Sequence, residues 1–249
     1  MPLSSLIVLI FIFFVTSFVG VVTGGNSLIA VPAMFQFGVD PKVAVATNMF
    51  GLTFMSVGAS IPFIRKGTVD FKKILPLVLL TLVSSALGAL LVGLITSAAI
   101  KLIVSIAMIV VATFTFLRRN AGVEPGSVTA FSLVITYILT FLLGIYGGLY
   151  SGGYVTVLTT VLVVFFGMTF SESVASTKVI NVFSSLIATL LFMWQGLVDY
   201  KLGIILGITM FAGAYAGAHY ATKLNDLWLK RIFLTTVFLL ALKTLYDFI

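Results

Sequence analysis

The chain has 249 residues, of which 61% are hydrophobic and only 8% charged, with a mean hydropathy of +1.26. Soluble domains carry about a quarter charged residues, so most of this surface must face lipid and a water-soluble fold is excluded. There is no cysteine, which excludes disulfides, thiolate catalysis and cysteine-ligated metals; the net charge of +7 sits in clusters between apolar runs (Arg65, Lys66, Lys72, Lys73; Arg118, Arg119), the pattern of cytoplasmic loops rather than of a nucleic-acid surface.

In chain order, apolar runs cover residues 3–22, 26–37, 43–64, 74–95 and 99–117, and then 128–146, 154–166, 174–194, 202–221 and 229–248. A spanning helix needs about 20 apolar residues, and most of these runs qualify. The first run lacks the positive n-region of a signal peptide and reads as part of the mature fold. The second run of each set of five is short and begins at glycines. Pro32, Pro62 and Pro76 lie in or beside apolar runs, where bends or breaks account for them. Trp194, Trp228 and Tyr246 near segment ends read as interfacial anchors.

The two lists share a shape. Gly67-Thr-Val-Asp70 matches Gly196-Leu-Val-Asp199, and at the same spacing Lys72 matches Lys201, Gly88-Ala89 matches Gly217-Ala218, and Lys101 matches Lys230. One inserted residue upstream brings Ala46-Thr47-Asn48 onto Ser176-Thr177-Lys178. Hydrophobic composition alone does not match Gly, Asp and Lys. The expected organisation is an all-α polytopic membrane protein of two homologous halves, residues 1–118 and 128–249, joined by a polar linker at 119–127. Each half has four to five membrane segments, eight to ten in total, with glycine-broken segments near the midplane. Basic charge lies on the Gly67–Lys73 loop in the first half and on the Lys223–Arg231 loop in the second, the swap that inverted repeats produce under the positive-inside rule. Inversion requires that the short segments cross. If they re-enter instead, the halves are parallel.

Candidate functional residues follow from the breaks and from one misplaced charge. Thr23-Gly24-Gly25-Asn26-Ser27 interrupts the first half, and Gly147 to Gly153, with Ser151 and Gly152, interrupts the second. Broken backbone inside a membrane must be buried in protein or line a wet cavity, and matched breaks in two repeats point to a transporter's binding site. The freed N–H groups and the helix dipole favour an anion; close packing through small residues is the bland alternative. Lys178 lies well inside an apolar run, where a charge is by default functional, although a snorkelling lysine would serve equally. Asn181 and Ser185 share its helix face, and Thr177 adjoins it. Its repeat partner is Asn48, beside Thr47. For proton coupling only Glu172 and His219 stand out; His219 also reads as an interfacial residue. Asp70 and Asp199 read as helix caps or salt-bridge partners.

These residues resemble the TauE/SafE family of sulfite exporter-like permeases, also called the toluene-sulfonate uptake permease group. The resemblance rests on the first glycine break with Pro32, Gly38, Ala44 and Ala46-Thr47-Asn48, on Gly144-x-Tyr146-Gly147 through Ser151-Gly152-Gly153, on Ser176-Thr177-Lys178-Val179-x-Asn181, and on the two Gly-x-Val-Asp loops. Asn26 stands where that family commonly has another glycine, and Met49 where it often has lysine. The resemblance implies a secondary transporter of sulfite, sulfonates or related sulfur-containing or organic anions, coupled to protons, in the inner membrane of a prokaryotic-type cell. The expected partners are a small anion and membrane lipid, with a homodimer as an open option and no nucleic acid. No cofactor or metal is expected. No nucleotide-binding loop is present. Two other classes remain: an intramembrane serine protease using Ser151 and His219, and a non-transporting membrane scaffold.

Overall fold

The computed structural model describes residues 2–100, 102–103, 128–229, 231, 232 and 235. The fifth and tenth apolar runs and Tyr246 fall largely or wholly outside these residues, as does the 119–127 linker. Eight helices are described from end to end: α1 (Leu3–Thr23), α2 (Asn26–Gln36), α3 (Pro41–Arg65), α4 (Phe71–Leu94), α5 (Ala130–Leu149), α6 (Tyr154–Phe165), α7 (Phe170–Trp194) and α8 (Tyr200–Ala221); among the described residues 97–100 and 226–229 are helical as well. Six are long and apolar enough to span a membrane, and α2 and α6 are the short pair. The boundaries follow the apolar runs closely.

One local expectation changes. Gly147 and Gly148 do not break the chain; α5 runs through them to Leu149, and the break is confined to residues 150–153. Both glycines are packing positions. A methyl group on Gly148 would collide with the Ser85 carbonyl of α4, and one on Gly147 would meet the Tyr154 ring.

The two Gly-x-Val-Asp loops have the same construction. Gly67 (φ +72°) and Gly196 (φ +69°) adopt the left-handed conformation that ends a helix. Beyond them, Thr68 N–H donates to Phe63 O and Leu197 N–H to Phe192 O, at 3.1 and 3.0 Å. Asp70 and Asp199 then cap the next helices, accepting from the N–H groups of Lys73 (3.1 Å) and Leu202 (3.0 Å).

Contacts between helices fix their directions. Phe50, Phe54 and Gly58 of α3 meet Gly203, Gly207 and Phe211 of α8 in rising order, so these helices are parallel. Phe14 and Phe18 of α1 meet Gly213 and Gly217 of α8, which makes α1 parallel to them. On the other side, α4 runs parallel to α5 through Ser84–Gly144 and Gly88–Ile145, and to α7 through Ser85–Ser184 and Ala89–Gln195. Across the centre α3 and α7 are antiparallel: Thr47 lies beside Asp199, Thr53 beside Thr189 and Ser56 beside Asn181. α3 and α7 form the core, with 72% and 67% of their spanning windows buried, against 28–50% for the other four spanning helices.

The packing partners correspond under exchange of α1–α4 with α5–α8: α1 on α8 answers α5 on α4, and α3 on α8 answers α7 on α4. The repeat-matched Gly88 and Gly217 make equivalent contacts, against the Ile145 carbonyl of α5 and the Phe18 carbonyl of α1. Each leaves no room for a Cβ, which is why glycine stands there. The chain is an integral, multi-pass membrane protein; α1, α4 and α5 turn rows of Leu, Ile and Phe outward.

Candidate functional site

The two breaks meet at the centre. Gly24 ends α1 at φ +71°, and a Cβ placed on it would lie 2.6 Å from the backbone nitrogen of Thr156, in the first turn of α6. Thr156 Oγ1 donates to the Thr23 carbonyl at 2.6 Å, and Tyr150 Oη donates to the Ser27 carbonyl at 2.9 Å. The second break holds its shape by unusual backbone: Ser151 at φ +66° is a non-glycine residue in the left-handed region, and Gly153 sits at φ +78°. Tyr146 Oη donates to the Gly152 carbonyl and braces this turn. The N-termini of two short helices therefore converge, each with first-turn N–H groups that no helical carbonyl takes and a dipole that favours negative charge.

Lys178 lies about 12 Å along α7 from its start, 3% exposed. Its Nζ donates to the Gly20 carbonyl in the last turn of α1 at 3.0 Å. That carbonyl also accepts the Gly24 N–H, so the lysine reaches the backbone just ahead of the first break. Gly20, Gly24, Asn26, Ser27, Ser56, Ser151, Lys178 and Asn181 line one small cavity, closed on its apolar side by Leu52, Met55 and Val155. Its volume is about 10 Å³, roughly the space one water needs.

The polar lining is tied together. Asn181 Nδ2 donates to Ser56 Oγ at 2.8 Å, Asn26 Nδ2 to Ser17 Oγ at 2.8 Å, and Asn48 Nδ2 to Ser27 Oγ at 2.9 Å. Burying an ammonium is costly without a partner, and among the described residues no carboxylate lines this cavity. The described acids sit at helix starts instead. Asp40, Asp70 and Asp199 cap α3, α4 and α8, Glu172 closes a capping box with Thr169 on α7, and Asp226 accepts the Ser171 N–H.

Six of the residues singled out in the sequence meet in the cavity: Gly24, Asn26, Ser27, Ser151, Lys178 and Asn181. Asn48 stands behind Ser27. Gly25 precedes α2, its N–H on Thr23 Oγ1, and Gly152 and Gly153 shape the second break without lining the cavity. Thr177 faces α6, sharing a hydrogen bond with Thr159, and Thr47 accepts the Asp199 N–H between α7 and α8. Ser185 donates to the Asn181 carbonyl at 2.6 Å. Glu172 is held at the start of α7, and His219 is exposed in the last turn of α8 beside Tyr220. Ser151 is buried and His219 is exposed at the end of α8, outside this cavity, so the structure does not bring together the Ser151 and His219 of the protease reading. Sequence reasoning missed Gly20 and Ser56. Gly20 contributes through a backbone carbonyl, and Ser56 is one small polar residue among many in apolar runs.

A family model described as sulfite exporter TauE/SafE matches residues 9–244. The chain belongs to the TauE/SafE family. Among similar curated proteins, a probable membrane transporter protein, ORF9, of a Sinorhizobium species is 29% identical over 236 residues, covering 94% of this chain and 90% of that one. The probable membrane transporter protein YfcA of Escherichia coli K12 is 25% identical over 240 residues, covering 96% and 89%. A probable membrane transporter protein of Haemophilus influenzae is 26% identical over 234 residues, covering 94% and 92%. No solved structure matches significantly. Membership in this family, with six helices among the described residues long and apolar enough to span a membrane, makes the chain a membrane transporter.

Proposed function

We propose that this transporter is a secondary carrier of small anions, of the class of sulfite, sulfonates and related sulfur-containing or organic anions, working by alternating access with proton coupling, and that it is not an enzyme. The observation that carries the reading is Lys178, a buried ammonium on a backbone carbonyl, beside two converging helix N-termini, in a cavity that no described carboxylate lines. All three features favour negative charge. The cavity, at about 10 Å³, is too small for such an anion, so loading requires the walls from α1, α3 and α7 to part. That fits a closed state in an alternating-access cycle.

The reading includes inverted repeats. The antiparallel course of α3 and α7 and the matched contacts of Gly88 and Gly217 support it. Lys66 Nζ donates to the Thr222 carbonyl, which puts the ends of α3 and α8 on one face. That face carries Arg65, Lys66, Lys72, Lys73, Lys223 and Arg231, against Lys42 and Lys201 on the other among the described residues. By the positive-inside rule the Lys66 face is cytoplasmic, in the inner membrane of a prokaryotic-type cell. The test is uptake of radiolabelled sulfite into proteoliposomes, with sulfonates, thiosulfate and sulfate as competitors. Saturable uptake supports the carrier reading. A folded, reconstituted protein that carries none of these anions overturns it.

A further inference from the structure

Asn26, which lines the cavity with Lys178, carries an unmet acceptor. The residue is 3% exposed. Its Nδ2 is committed to Ser17 Oγ at 2.8 Å and faces Met55 Sδ at 3.5 Å. A thioether sulfur accepts, weakly, and does not donate, which favours this orientation of the amide. In this orientation Asn26 Oδ1 is buried with no hydrogen-bond partner among the described residues. Buried acceptors are almost always satisfied, and one left unmet costs the full desolvation of the group. Here it is on the residue that opens α2, in the same cavity as Lys178.

We propose that the transported species is a monoanion carrying its own hydrogen-bond donor, with Lys178 taking the charged oxygen and Asn26 Oδ1 taking the hydrogen. The inference rests on the anion-carrier reading and narrows its substrate class. Among the described residues a single cation lines the cavity, which suits one negative charge. A bare dianion would bring a second charge against the oxygens of Asn26 and Gly20. An anion without a donor would bury Asn26 Oδ1 unpaired against its own oxygens, and sites built around a hydrogen bond reject partners that lack it strongly. A substrate that arrives protonated also carries its proton across, so proton coupling then needs no carboxylate in the cavity. The charged groups on helices packed against α7 are Lys42 and Arg65 of α3 and Lys72 and Lys73 of α4, all in terminal turns, and the phenols there are Tyr137, Tyr146 and Tyr154 of α5 and α6. None of these lines the cavity.

The test uses two tetrahedral monoanions of similar size, one with a hydrogen-bond donor and one without. Methylphosphonate, kept as its hydrogen-bearing monoanion at mildly acidic pH, and methanesulfonate, which has no donor, compete against radiolabelled sulfite in proteoliposomes of the full chain. The inference requires that methylphosphonate inhibit at least about tenfold more tightly in the wild type, and that the ratio fall toward one in Asn26→Ala. Equal inhibition by both anions in the wild type, or a preference for methanesulfonate, overturns it while leaving the carrier reading standing. A wild-type preference that Asn26→Ala retains also overturns the assignment to Asn26. Should that variant fail to fold, the wild-type ratio alone decides the substrate class. Absence of sulfite uptake above protein-free liposomes fails earlier, at the carrier reading, and removes this inference with it.

Discussion

The ammonium of Lys178 on α7 and the carbonyl of Gly20 on α1 are joined by a 3.0 Å hydrogen bond across 158 residues of sequence. The bond ties the end of the first long helix to a core helix of the other set, at the point where the chain breaks before α2. On the proposed reading, an anion held at Lys178 shares the ammonium with that carbonyl and draws charge away from one of the ties holding α1 in place.

Replacing Gly88 or Gly217 by alanine tests the packing that supports the site. At each, the added methyl group meets a backbone carbonyl of a neighbouring helix, which cannot turn aside as a side chain can. Each substitution is expected to cost about 1–3 kcal/mol, seen as lowered thermal stability in detergent. A control change at Gly67, where a Cβ would meet nothing, acts only through its positive φ.

Opposite sidedness of the two Gly-x-Val-Asp loops follows from the antiparallel course of α3 and α7. The chain has no cysteine, so single cysteines need no altered background. Lys66→Cys should react with a membrane-impermeant maleimide only from the cytoplasmic side, and Lys201→Cys only from the outer side. Labelling of both from one side would contradict inverted repeats.

Asn181→Ala leaves Ser56 Oγ without its 2.8 Å donor and removes an amide from the cavity lining. The expected stability loss is about 1 kcal/mol, with a larger proportional effect on anion uptake than on thermal stability. Equal, small effects on both would make the pair a packing contact only.

Ser151→Gly should be tolerated or mildly stabilising, by up to about 1 kcal/mol, because glycine adopts φ +66° without strain. Ser151→Val should destabilise. Fluorophosphonate probes are expected to leave Ser151 unlabelled, since His219 lies outside its cavity; labelling would revive the protease reading.

Much of this was legible in the sequence. Helix positions follow from apolar runs because in lipid every backbone group must be satisfied within its own segment. The first break was found at Gly24 and Gly25, and Lys178 through its misplaced charge. Gly147 and Gly148 misled, because glycine breaks a helix in one setting and admits a close neighbour in another, and only the Ser85 carbonyl beside Gly148 tells which. Glu172 and Asp199 resolve as caps since each is placed where a helix begins. Gly20 was out of reach: a carbonyl that accepts from a distant lysine leaves no trace in side-chain identity. The orphaned oxygen of Asn26 was equally hidden, for it depends on what Ser17 and Met55 do to the other end of the amide.

The most direct test is the rate of radiolabelled sulfite uptake into proteoliposomes containing either the wild type or Lys178→Met, with folding verified for both. Methionine keeps the length of the side chain and removes its charge. The account predicts saturable uptake by the wild type and a loss of at least about tenfold in the variant, the least a lost charge-assisted hydrogen bond of about 1.5–3 kcal/mol would produce. Uptake by Lys178→Met with unchanged kinetics would contradict it and remove Lys178 from the anion's path.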